Sequence, residues 1–226
     1  MLFLLGGIGA LSIHFYKPFT QYPVSFFMQS DEKQPHSALE RFGANKVIPD
    51  LLREEILLAL SYYPELLHTH IEFVILSPSI KKSIMLAQPQ VPTLFRARTK
   101  RGYVIKISRY FKGDAQPLPI ETIPQNILVG WVGHELGHIM DYLDRSVWAM
   151  VRYGLGYLLS RRYLMRAERT ADLHAISHGL GEKIIATKNF ILDHAHLPER
   201  YKEKIRRLYV SPEETVLLVE EYEKKM

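Results

Sequence analysis

Two histidines, His134 and His138, stand four residues apart in the stretch WVGHELGHIMDY (131–142), and Glu135 directly follows the first. On an α-helix, residues four apart share a face with Cβ atoms about 5–6 Å apart, so both imidazoles can reach one ion. Glu135 lies one position round the helix, where its carboxylate can face a water at that ion without competing as a ligand. This is the arrangement of helical HExxH zinc hydrolases. The expected chemistry is hydrolysis, with His134 and His138 as metal ligands and Glu135 as general base.

A catalytic zinc takes a third protein ligand and leaves a fourth position open. The chain contains no cysteine, which removes thiolate ligands and disulfides together. A metzincin would need glycine three residues after His138 and histidine six after it, but Asp141 and Asp144 stand there. Asp144 is a minor candidate, since no glycine turn precedes it; with Asp141 it otherwise reads as a polar helix end near Arg145. Glu168 is the stronger candidate. In RAERTADLHAISHG (166–179), Glu168, Ala171, Asp172 and Ala175 fall in one helical stripe. Glu168 can then point at the metal while Asp172, one turn on, orients a ligand histidine. The small Ala171 and Ala175 would let this helix lie close to the motif helix.

His174 and His178 make another pair four apart, but Ala175 stands where the motif needs glutamate. They also fall roughly 80–120° round the helix from the Glu168 stripe. A surface or hydrogen-bonded core role is expected for them. The residue that would stabilise an oxyanion stays open among these two histidines, Tyr157, Tyr163 and Arg169.

HExxH followed by ExxADxxA resembles the gluzincin metallopeptidases of the HtpX and CAAX prenyl protease type, over about residues 124–180. The resemblance implies a zincin-like fold, one Zn2+ per chain, and a peptide or protein substrate. It implies His134, His138 and Glu168 as ligands, Glu135 as base and Asp172 as support for a ligand histidine. The integral-membrane members have several spanning helices, so the likeness is to small soluble or singly anchored gluzincins, and prenylated substrates are not implied. The alternative is a non-catalytic zinc-binding scaffold or membrane-associated adaptor that retains the fold. Glu135 argues against it, because a structural zinc site has no need of a base.

The elements that must position these residues can be read in outline. A chain of 226 residues is long enough for one well-cored domain. Hydrophobic residues at 47% and charged residues at 23% are ordinary globular usage, so a packed core is expected. The net charge of +5 is spread along the chain without any nucleic-acid-binding motif, so no nucleic-acid partner is expected. The apolar run Leu2 to Ile13 is shorter than the ~20 residues of a spanning helix. It suits a signal-peptide core or a short anchor, which favours a membrane-associated or exported location. Pro18, Pro23 and Pro35 mark a linker, dividing residues 1–37 from a domain at 38–226.

Within that domain a helix follows Pro49 and Asp50, and three short strands follow it at 70–77, 83–88 and 101–110. In the third strand Tyr103, Ile105 and Ile107 share a face. This strand is the expected sheet edge for pairing with an extended peptide. From Pro124 onward the pattern is helical. It comprises the motif helix, the apolar SVWAMVRYGLGYLLS (146–160), a helix from about Arg162 to Ser177 stopping at Gly179 and Gly181, and a last helix with a Ser211–Glu214 capping box. The apolar helix is expected to be buried, with an interfacial position open. Gly130, Gly133 and Gly137 each cost the motif helix ~1 kcal/mol relative to alanine. They imply close approach of another backbone or a substrate, or tight helix-on-sheet packing. The expected fold class is α+β and zincin-like: a small mixed sheet packed on the motif helix, with a helical C-terminal half.

Overall fold

The computed structural model describes residues 36–77, 80, 83–111, 117–193 and 197–224. The apolar run at the N-terminus, the linker and the targeting role expected of them lie outside these residues. A short helix α1 (His36–Leu39) leads to β1 (Lys46–Val47) through Asn45, whose φ of 57° is a left-handed conformation that asparagine tolerates. Helix α2 (Arg53–Ser61) follows a 3-10 turn at Asp50–Leu52 and buries Ile56, Leu57, Ala59 and Leu60. Strands β2 (His70–Leu76), β3 (Met85–Pro89) and β4 (Gly102–Ser108) come next. The sheet order is β1-β2-β4-β3, with β2 parallel to both β1 and β4, and β3 antiparallel to β4. A two-stranded hairpin, β5 (Tyr110–Phe111) and β6 (Leu118–Pro119), precedes the helical half.

Tyr103, Ile105 and Ile107 are fully buried on one face of β4, as the alternation requires. The expectation that this strand forms the sheet edge is overturned. It is bonded to β2 on one side and β3 on the other, and Val104 and Ser108 are buried as well, the pattern of an interior strand covered on both faces. The edge is β3. Its bonds with β4 run through Ile84 and Gln90, so Met85, Ala87 and Pro89 turn their backbone groups outward, and Pro89 has no N–H to leave unpaired there.

The C-terminal half comprises α3 (Gln125–Leu143), α4 (Val147–Leu159), α5 (Arg161–Ser177), α6 (Gly181–Asp193), α7 (Glu199–Leu208) and α8 (Pro212–Glu223). Pro124 caps α3, and every residue from Ile127 to Tyr142 is buried. This helix is the spine of the molecule, packed against β3 and α2 and against α5 and α6. The result is a mixed α+β fold of small zincin-like architecture.

The glycines of α3 mark close approach of α5, α6 and the turn between them rather than of the sheet. A Cβ at Gly130 would strike the Lys183 carbonyl and Thr187, one at Gly133 would strike Leu180, and one at Gly137 would strike the Ala171 carbonyl. Helix α5 ends as expected at Gly179, whose φ of 82° permits the terminating bond from Leu180 N–H to the Ala175 carbonyl. Gly181 instead opens α6. Ser211 caps α8 by accepting from the Glu214 N–H. The expected burial of α4 is corrected: only Met150 and Tyr153 are buried, and its apolar outer face is exposed. Among the described residues no helix is long and apolar enough to cross a membrane.

Candidate metal centre

Helix α3 presents His134, Glu135 and His138, and α5 runs beside it because Gly137 admits the backbone of Ala171. That contact sets Glu168, about one turn before Ala171, opposite both histidines. One Glu168 oxygen (Oε2) lies 3.1 Å from His134 Nε2 and 3.3 Å from His138 Nε2. One ligand atom from each of the three residues lies within 4.8 Å of the other two. Tetrahedral zinc with bonds of about 2.0–2.1 Å holds its ligand atoms about 3.3 Å apart. Two edges of the triangle therefore already have the spacing of ligands around a single ion. Two imidazoles and a carboxylate are also a donor set that suits zinc. His138 Nδ1 is buried with no hydrogen-bond partner, so its polar contact within the cluster is made through Nε2, toward Glu168.

Behind the His134–His138–Glu168 cluster lies a relay of charges. Asp172 Oδ1 is 2.9 Å from His134 Nδ1, which holds a proton on Nδ1 and turns Nε2 toward the centre. Its other oxygen accepts from Lys188 Nζ at 2.6 Å. The Lys188 ammonium also donates to the Val210 carbonyl at 2.8 Å and to Thr215 Oγ1 at 3.1 Å, so each of its three donors has an acceptor. On the Glu168 carboxylate, Oε1 accepts from the Tyr157 hydroxyl at 2.7 Å. Sequence reasoning missed Lys188. The available signal was its place in the buried stripe Ile184, Thr187, Lys188, Ile191 of α6, where an unpaired lysine would not survive burial.

These contacts set the proton affinities. Burial opposes the charge on His134, but its bonds to Asp172 and Glu168 outweigh it and raise the pKa from 6.5 to about 10. Burial likewise opposes ionisation of Glu168, yet the neighbouring charge on His138 and the bonds to both histidines hold its carboxyl well below the usual carboxylate range. Asp172 is held low against its burial chiefly by Lys188. Glu135 moves the other way, because burial outweighs the pull of the histidines and raises its pKa. Its Oε2 accepts the outward-facing N–H of Ala87 at 2.7 Å, from the edge strand β3.

The other candidates fall outside the cluster. Asp144 ends α3, and Asp141 pairs with Arg145 at 2.8 Å. His178 is buried, donates through Nδ1 to the His174 carbonyl at 2.6 Å and lies 3.3 Å from Glu65. It stacks on Tyr63, whose hydroxyl donates to the Gly133 carbonyl. Arg169 pairs with Glu214, and Tyr163 packs on Gly156. Of the residues considered for an oxyanion role, Tyr157 touches a side chain of the cluster, Glu168.

His134 and Glu135 line a small cavity of about 40 Å³ together with Trp131, Tyr201 and Tyr209. Ser83 and Tyr201 are shared between it and a cleft of about 900 Å³, which Arg200, Lys204 and Arg207 also line. No protein family, curated protein or solved structure matches the chain. The functional reading therefore rests on the site itself, a buried His–His–Glu cluster with the geometry of a zinc-binding, metallopeptidase-like centre.

Proposed function

We propose that this chain is a zinc-dependent metallopeptidase, an endopeptidase of the gluzincin type similar to HtpX and the CAAX prenyl proteases, acting on a peptide or protein. The observation that carries this reading is the approach of Glu168 to both histidines of α3, 3.1 and 3.3 Å away, with Glu135 beside the cluster but outside the donor set. His134, His138 and Glu168 would hold one zinc ion. Bound zinc supplies Lewis acidity, polarising the scissile carbonyl and bringing water ionisation near neutral pH.

The chain's own residues do the rest. Glu135 accepts the proton of the attacking water and passes it to the leaving amine, a task suited to a carboxylate whose proton affinity burial has raised. Ala87 holds one Glu135 oxygen and leaves the other for proton transfer. Asp172 and Lys188 fix the His134 ring, and Tyr157 fixes Glu168. The peptide approaches through the 900 Å³ cleft that adjoins the Glu135 cavity.

The competing reading is a zinc scaffold without turnover. Cleavage of a mixed peptide library by the full chain, beside Glu135→Gln with zinc measured in both, separates them. The proposal expects equal zinc in both proteins and cleavage by the wild type only. Equal zinc with cleavage by neither supports the scaffold.

A further inference from the structure

Helix α4 is held to the molecule by one face and leaves the opposite face bare. Met150 and Tyr153 are buried and Tyr157 reaches Glu168. On the other side Trp148 is 81% exposed, Leu155 55%, Leu158 79% and Leu159 82%, with Val151 also exposed. The spacing 148, 151, 155, 158, 159 is one continuous stripe at 100° per residue. Soluble proteins seldom leave such a contiguous apolar row uncovered without a partner for it.

The charge around the stripe identifies that partner. Residues 145–167 contain five arginines, Arg145, Arg152, Arg161, Arg162 and Arg166, and no aspartate or glutamate. Arg145 pairs with Asp141. The other four are exposed, and among the described residues no carboxylate pairs with them. An exposed apolar row with a tryptophan near its start, and with unpaired arginines in the helix and close after it in the chain, is the pattern of a helix lying in a membrane interface over anionic lipid. A second copy of this chain would bring the same arginines to the contact, in a protein of net charge +5, so like charges oppose self-association there. The apolar run Leu2 to Ile13 of the same chain carries no charge and would leave the arginines without counter-charge.

We propose that the outer face of α4, through Trp148, Leu155, Leu158, Leu159 and the flanking Arg152, Arg162 and Arg166, seats the protein peripherally on an anionic membrane surface. This goes beyond the peptidase reading and does not depend on it. Because Tyr157 of the same helix holds Glu168, docking would place the metal centre about one helix diameter, roughly 10 Å, from the lipid.

The test is flotation of the full chain with vesicles of phosphatidylcholine alone or with about one-third phosphatidylserine. Wild type is expected to float with the phosphatidylserine vesicles, and less so as salt rises. The exposed-site variant Trp148→Ser/Leu158→Ser/Leu159→Ser is expected to lose about tenfold or more of that partitioning with unchanged thermal unfolding. Arg152→Gln/Arg162→Gln/Arg166→Gln is expected to lose the preference for phosphatidylserine. Trp148 provides a second reading that needs no multiple variant, since the other tryptophan, Trp131, is buried. Emission of the wild type should shift to the blue with these vesicles, and that of Trp148→Phe should not. The inference is overturned if wild type binds neither vesicle, or if the serine variant binds as wild type does. Blue Trp148 emission in buffer that ignores vesicles, or a lipid-free dimer abolished by the serine variant, would overturn it equally.

Discussion

Replacing Lys188 by methionine isolates the support behind the metal centre. Lys188 is buried, and its ammonium donates to Asp172, Val210 and Thr215 at 2.6, 2.8 and 3.1 Å. The variant keeps the side-chain volume but leaves Asp172, fully buried, as a carboxylate that has lost its lysine and keeps only His134. Breaking a buried pair on one side costs about 3–5 kcal/mol. Loss of support for a metal-binding histidine costs about 10–100-fold in metal affinity. Lys188→Met should therefore unfold in urea with a loss of about 3–5 kcal/mol and bind zinc at least tenfold more weakly in chelator competition. Asp172→Asn should also be destabilised. The double variant Lys188→Met/Asp172→Asn should lose less than the sum of the two, because neither partner then leaves the other charged and alone. Stability within about 1 kcal/mol of wild type for Lys188→Met, with zinc affinity unchanged, would refute this reasoning.

Three further outcomes follow from the same contacts. Gly137→Ala gains about 1 kcal/mol of helix propensity, but its methyl meets the Ala171 carbonyl and overpacking costs about 1–3 kcal/mol. A lower melting temperature and weaker zinc binding are expected; a more stable protein with intact zinc affinity would contradict the packing argument. Tyr157→Phe removes a hydrogen bond to a buried carboxylate, worth about 1.5–3 kcal/mol, and should raise the zinc dissociation constant, measurable by competition with a chelator. In the metal-free protein His134 titrates at about 10 when folded against 6.5 when unfolded. The stabilisation it gives is complete below pH 6.5 and lost as pH rises to about 10. Melting curves of the metal-free chain should show that decline, and zinc, by displacing the proton, should remove it; a metal-free melting temperature flat across this window would count against the His134–Asp172–Glu168 contacts.

The candidate cluster of His134, His138 and Glu168 was legible because helix periodicity places residues on faces. His134 with His138, and Glu168 with Asp172, are each fixed relative to one another by 3.6 residues per turn. The glycines of α3 signalled close backbone approach, and Gly137 against Ala171 is the contact that brings the two pairs together. Relations between distant elements were not legible. Strand order depends on which side chains the helices cover, so β4 was expected at an edge that β3 occupies. Lys188 acts across three helices and a loop, and nothing in its neighbours names Asp172 as its partner. The exposure of α4 was hidden for a similar reason. Its apolar residues circle the helix, and only the tertiary fold decides that the tyrosine face is the one covered.

The central claim is that His134, His138 and Glu168 together hold one zinc ion, and metal analysis of the full chain tests it most directly. After dialysis against metal-free buffer and titration with zinc, wild type should retain one zinc per chain. His138→Ala and Glu168→Ala, checked for intact helicity by circular dichroism, should each retain almost none. Folded wild type that binds no zinc, or a Glu168→Ala protein that holds zinc as tightly as wild type, would contradict the account.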